Sequence, residues 1–179
     1  MSVEVTTQCR RTNLSLKEFV RRFTCPTPPA ELCGVCPNFG RRWGCPPLSE
    51  GELSCLRQYD HIEVWAVQIF PQQKRQPLEA AYDIINAQRE VVEPQLLQLE
   101  AQRGGRAALF TGMCRHCHGR QCARIYGQPC RHPQLVRPSL EALGFDLQKV
   151  ARELFDIELL WGRQGRLPEY LTILGGLFY

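Results

Sequence analysis

Four cysteines fall within 17 residues, spaced Cys114-x2-Cys117-x4-Cys122-x7-Cys130, and this run constrains the chain more than any other feature. Gly112, Gly119, Gly127 and Pro129 lie in and around it, so an irregular loop is expected over residues 112–138. A loop is what four sulfurs need in order to surround one compact body. Four thiolates match a [4Fe–4S] cluster, one per iron. They also match structural zinc, which usually draws on two paired knuckles. Only the first half of this run is a C-x2-C pair, and the wider gaps after it favour the cluster.

A second set, Cys33-x2-Cys36-x8-Cys45, is followed at once by Pro46 and Pro47. It lies in a Pro- and Gly-rich stretch, residues 25–48, which also reads as a loop. Cysteine followed by proline is how the bacterial ferredoxin run ends. The fourth ligand is open, with Cys25 and Cys55 as the candidates. If neither binds, one iron stays free for substrate or solvent, and such an iron acts as a Lewis acid rather than as a pure electron carrier.

Ten cysteines in 179 residues is high for an intracellular enzyme. In a reducing compartment they hold metal or do redox chemistry more often than they form disulfides. The start, MSVEVTTQCR, has neither a basic head nor an apolar stretch, so no secretory signal is expected. No run approaches the ~18–20 apolar residues of a membrane helix. A cytoplasmic protein without a membrane partner is the expectation. The even cysteine count leaves a disulfide framework as the alternative.

Between Ala101 and Leu140 there are seven arginines (103, 106, 115, 120, 124, 131 and 137) and no acidic residue. Cations near a thiolate-ligated cluster offset its negative charge and raise its potential. The bland alternative is that arginine is simply common here, at 19 against 3 lysines. A nucleic-acid patch with Tyr126 as a stacking residue ranks behind charge compensation, and the net charge of +4 by itself implies no such partner. His116, His118 and His132 are expected beside the metal ligands or in solvent, Trp43 as a hydrophobic shield, Cys9 as a bystander in an N-terminal tail and His61 as structural. The chain carries no P-loop, GxGxxG fingerprint or HExxH motif.

The rest reads as a single domain over 1–179, an α/β fold (α+β as the variant) built as a two-layer sandwich containing a βαβ unit. Helices are expected at 13–24, capped by Asn13 or Ser15, at 49–59, at 77–103 ended by Gly104-Gly105, at 139–144 and at 147–155. Strands are expected at 61–70, 106–111, 157–161 and 170–178. Strand, helix and strand over 61–111 favour a parallel pair with a right-handed crossover. Were those strands neighbours, the two cysteine loops would leave opposite sheet edges, roughly 20–30 Å apart at ~3.3 Å per residue. The 49–59 helix offers a way back, and the two layouts stay open.

The run CGVCPNFGRRWGCPP (Cys33–Pro47), with the second cysteine set and CRHPQLVRPSLEALGFD (Cys130–Asp146) downstream, resembles an uncharacterised family of predicted metal-binding proteins frequent in anaerobic bacteria and archaea. The two blocks span most of the chain. The resemblance implies metal ligation, iron–sulfur by its cysteines, at Cys33, Cys36, Cys45, Cys114, Cys117, Cys122 and Cys130. Phe39 stands where that family usually has tyrosine and Leu140 where methionine is common. Cys25 and Cys55 fall outside the pattern. No catalytic or substrate-binding residue is implied.

The leading expectation is a cytoplasmic protein with one or two [4Fe–4S] clusters, passing electrons to a redox partner protein. The alternatives are an enzyme with an open three-cysteine cluster, in which Arg41 and Arg42 hold an anionic substrate, and a zinc-stabilised binding module.

Overall fold

The computed structural model describes residues 3–73, 76–117 and 119–179. Strand β1 (Val5–Ser15) runs into helix α1 (Leu16–Phe23), and two short helices follow, α2 (Pro29–Cys33) and α3 (Glu50–Ser54). Then come β2 (His61–Pro71), the long α4 (Ala80–Arg103), β3 (Arg106–Ala108), α5 (Leu147–Phe155) and β4 (Leu171–Phe178). The four strands form one antiparallel sheet in the order β1-β2-β4-β3. The mixed α/β sandwich is borne out. Its antiparallel sheet makes α+β the closer description.

The expected parallel pair is split. β2 and β3 run in the same direction on either side of α4, but β4 lies between them, antiparallel to both. β2 decides the layering. Every residue from Ile62 to Ile69 is buried, which requires cover on both faces. On one face Ile62, Val64 and Ala66 join Phe19, Phe23, Val150 and Phe155 from α1 and α5. On the other Trp65, Val67 and Ile69 join Ile84, Val92 and Leu96 from α4. The sandwich therefore has a helical layer on each side of the sheet instead of the two layers expected. Each fully buried side chain of this kind contributes about 1.5–3 kcal/mol.

Other boundaries move for local reasons. Residues 5–15, read as tail and helix start, form β1 as an edge strand, and polar positions suit it because most of it is exposed. Ser15, one of the two expected caps, accepts the Glu18 N–H through its hydroxyl at 3.2 Å and starts α1. α4 begins at Ala80, while Gly104 closes it in the left-handed region at φ 64°. Where a helix was expected over 139–144, Ser139 forms a bridge and residues 140–144 form turns, and 157–161 pair with no strand.

The two cysteine loops grow from one place. The second opens after β3, where Leu109 bridges Ser139 in parallel and donates its N–H to Pro138 O at 3.1 Å, so it leaves and returns at one stem. The first opens where Thr24 bridges Phe145, six residues past that stem, with Cys25 N–H on Gly144 O at 2.8 Å. No helix of the described residues is long and apolar enough to cross a membrane.

Candidate metal centre

In the first loop, successive tight turns connect the cysteines. Cys36 N–H reaches Cys33 O at 2.8 Å, Phe39 N–H reaches Cys36 O at 3.0 Å and Cys45 N–H reaches Arg42 O at 3.0 Å. The stretch read as irregular contains α2, which ends on Cys33. Burial and then the neighbouring Cys36 push the Cys45 thiol up to about 11, with Arg42 pulling the other way and Cys33 and Cys114 adding to the rise. Burial, Cys36 and Glu141 raise Cys33 as well.

The second loop does the same around a 3-10 turn at Ala123–Tyr126. Burial raises the Cys114 thiol, the His116 N–H opposes this, and Cys130, Cys117 and Cys122 add to it. Cys114 thus lies within electrostatic reach of the other three thiols of its set. Sulfurs in both loops receive N–H donors: His132 N to Cys130 Sγ at 3.4 Å, Arg131 Nη1 to Cys117 Sγ at 3.9 Å and Asn38 Nδ2 to Cys36 Sγ at 3.8 Å. Among the described residues no group of three or more cysteine, histidine or carboxylate donors is arranged around a single metal ion. Because thiols must lose their protons to ligate, metal uptake here is coupled to deprotonation.

The two sets are neighbours, which decides between the two layouts. Arg124 of the second loop donates to three carbonyls of the first: Arg42 O at 2.9 Å, Cys45 O at 2.8 Å and Pro47 O at 2.6 Å. Its guanidinium also lies 5.1 Å from the Trp43 ring, and Trp43 Nε1 donates to Gln128 O at 3.2 Å. Trp43 is thus a strap between loops and not simply a shield. Gly44 permits the approach, since a Cβ there would sit 3.1 Å from Arg137 O and 3.4 Å from Cys114 Cβ.

Helix α4 fixes the outer side. Arg89, almost fully buried, pairs with Glu93 and donates to Met113 O at 3.0 Å, while Arg115 reaches back to Asn86 O and Glu90. Between them a polar cleft of about 490 Å³ opens onto Cys114 and Cys117, lined also by Arg42, Asp83, Glu90 and Arg120.

The fate of the arginines corrects the charge argument in part. Arg103, Arg115 and Arg137 are engaged by Glu63, Glu90 and Glu100, and Arg124 by backbone carbonyls. Of the seven, Arg131 is the one with a hydrogen bond to sulfur among the described residues. Burial, above all, lowers the His116 imidazole below its ordinary value. His118 lies outside the described residues. His61 stacks on Tyr179 at 5.6 Å, in keeping with a structural role, and Cys9 sits exposed on β1. Cys25 faces a separate apolar cavity, and Cys55 lies beside Tyr59. Neither is among the groups acting most strongly on Cys45.

A family model described as "predicted metal-binding protein (DUF2284)" matches residues 28–178. The chain belongs to that family. No curated protein and no solved structure matches it. Both cysteine sets, the Arg124 clamp and the Arg137–Glu100 pair fall inside the matched DUF2284 region, whereas all of β1 and α1 precede it. Sequence reasoning missed Arg124 and Arg137 as positioning residues. Their signal was present for Arg137, which stands in the RPSLEALG run that carried the resemblance.

Proposed function

We propose that the two thiol sets hold one or two [4Fe–4S] clusters and that the protein serves electron transfer in the cytoplasm, as a redox accessory to a partner protein. The observation that carries this reading is the packing of one cysteine set against the other, with Arg124 of the second loop on Cys45 O and Gly44 of the first against Cys114 Cβ. N–H donors on three of the sulfurs support it, because they stabilise thiolate ligands and tune a cluster's potential. When bound, the clusters would supply one-electron transfer. The chain's own part is to bring the ligands together and to hold the two sites side by side.

Anaerobic purification with iron, sulfide and zinc measured per chain tests this. Iron and sulfide in equal amounts are expected, with Cys45→Ala and Cys122→Ala each removing a different centre. Loss of the same single centre by both variants would refute the two-site division. A colourless zinc protein prepared without oxygen would refute iron–sulfur altogether.

Arg124→Ala should lower stability by about 2 kcal/mol. It loses several charge-assisted hydrogen bonds, discounted here for partial exposure. Iron bound by the first set should fall more than iron bound by the second. Equal loss from both sets would argue against Arg124 as the clamp.

A second reading has one observation of its own. Cys25 lines a separate apolar cavity, which removes one of the two candidate fourth ligands of the first set. An iron left without cysteine would make that site catalytic, and a substrate-dependent spectral change confined to one cluster would favour this enzyme reading.

A further inference from the structure

The sheet has two edges, and the fold treats them differently. β3 is three residues long, and the chain returning at Ser139 bridges Leu109 at its end. β1 is eleven residues long and forms the other edge, with no strand beyond it among the described residues. Its pairing with β2 runs without a break from Val5 opposite Pro71 to Ser15 opposite His61, so no bulge turns it away. It contains no proline, glycine or lysine. Natural edges are usually blunted by shortness, bulges, proline, charge or a cover. Of these, β1 has only the charges of Arg10 and Arg11.

Those two side chains are held over the sheet and not along its rim. Arg10 donates to Phe155 O and to Gln68 Oε1, and the Arg11 guanidinium lies 3.4 Å from the Trp65 ring centre. Register then fixes which backbone groups remain. Gln72 N–H donates to Glu4 O and Leu16 N–H to Asp60 O, so the even-numbered residues are the ones that bond to β2. The N–H and C=O groups of Val5, Thr7, Cys9, Arg11 and Asn13 therefore point outward, and no protein group among the described residues meets them. Thr6 to Arg11 are exposed without interruption.

We infer that β1 is a self-pairing surface: a second copy of this chain lays its own β1 alongside, antiparallel, about a twofold axis at Cys9, and the two sheets become one. In such a symmetric pair the residue on the axis faces its own copy. An axis at Arg10 or Arg11 would set like charges opposite each other, which destabilises a sheet. The axis at Cys9 gives the longest pairing that avoids this. It sets Thr7 against Arg11 of the second copy and Val5 against Asn13 of the second copy, and it joins the outward N–H and C=O groups in hydrogen-bonded pairs. With both arginines already engaged, the edge presents backbone and short polar side chains, which match a second copy better than an acidic segment of another protein. β3 lies at the far edge, so the stem of the second cysteine loop stays outside this interface, and the inference does not rest on the metal reading.

Sedimentation of the full chain over a range of concentrations is expected to show a monomer–dimer equilibrium. Thr7→Pro removes an outward N–H that β2 does not use, so it should keep the fold and the metal content while yielding monomers. Thr7→Glu places a carboxylate opposite Arg11 and should tighten the dimer roughly two- to fivefold, and Thr7→Arg should loosen it by as much, the range of one cross-strand charge pair. Treatment with a short bismaleimide followed by peptide mapping should return Cys9 joined to Cys9. A chain that stays monomeric at every concentration, a folded Thr7→Pro that still dimerises, Thr7→Glu and Thr7→Arg acting alike, or crosslinks confined to other cysteines would overturn the inference. So would a monomer whose β1 amides shift on adding an extended acidic peptide, which would assign the edge to a different protein. If Thr7→Pro does not fold, the Thr7→Glu and Thr7→Arg pair decides. Iron and sulfide content is a separate readout, so failure here leaves the cluster reading standing.

Discussion

Arg137→Ala should destabilise the protein by about 3–5 kcal/mol, the usual cost of leaving one partner of a buried ion pair alone. Arg137 is 8% exposed and reaches both oxygens of Glu100, with Nε on Oε2 at 2.8 Å, while Nη1 holds Val136 O at 2.8 Å. Glu100 also accepts the Ala107 N–H at 2.6 Å. The cluster ties the end of the second cysteine loop to the last turns of α4 and to β3. Urea unfolding measures the loss, and Arg137→Ala with Glu100→Ala should cost less than the two single losses summed, because no charge is stranded. A change under 1 kcal/mol for the single variant would refute the assignment.

The same pair sets an acid limit. Burial alone would raise Glu100, but the hydrogen bonds from Arg137 and Ala107 and the charges of Arg137 and Arg106 outweigh it and hold the carboxyl below its ordinary 4.5. A lowered folded-state value contributes stability that is present above 4.5 and is lost as pH falls through the folded value. Stability should therefore drop on acidification below about pH 4.5, and in Glu100→Gln this contribution to the slope should disappear.

Trp65→Ala should cost about as much, roughly 3–5 kcal/mol for a fully buried aromatic. Trp65 is 0% exposed at the middle of β2 and meets Phe110 edge-on at 6.3 Å. Arg11 of the paired edge strand covers its ring at 3.4 Å. Its Nε1 donates to Glu63 Oε1 at 2.8 Å, and Arg103 holds the other oxygen at 2.7 Å. Alanine leaves a cavity and an under-partnered carboxylate together, whereas Trp65→Phe keeps most of the packing and should cost less. Equal losses from the two would mean that the indole N–H, not the ring, carries the effect.

The strongly periodic segments were legible. Alternation and β-branching in residues 61–70 gave β2, and Gly104 ended α4 as expected. β1 was not legible, because an exposed edge strand rich in Thr, Gln, Arg and Asn has no apolar alternation to read. The parallel pair failed for a different reason. Strand order depends on where β4 inserts, and β4 lies more than 60 residues after β3. Cysteine spacing suggested two sets and left the fourth member of the first open, while their adjacency rests on Arg124, Trp43 and Gly44, whose partners are some 70 to 90 residues away. Spacing within a loop is local information, and contact between loops is not.

Neither of the two hydrophobic clusters contains a cysteine among its buried members. Substituting a cysteine in either loop should therefore leave the sheet and its helices folded, unlike a zinc finger whose chain stays unfolded until the ion arrives. Both loops close on backbone bridges, at Thr24–Phe145 and Leu109–Ser139, so removing a single thiol from either loop should leave those stems and the sheet register in place.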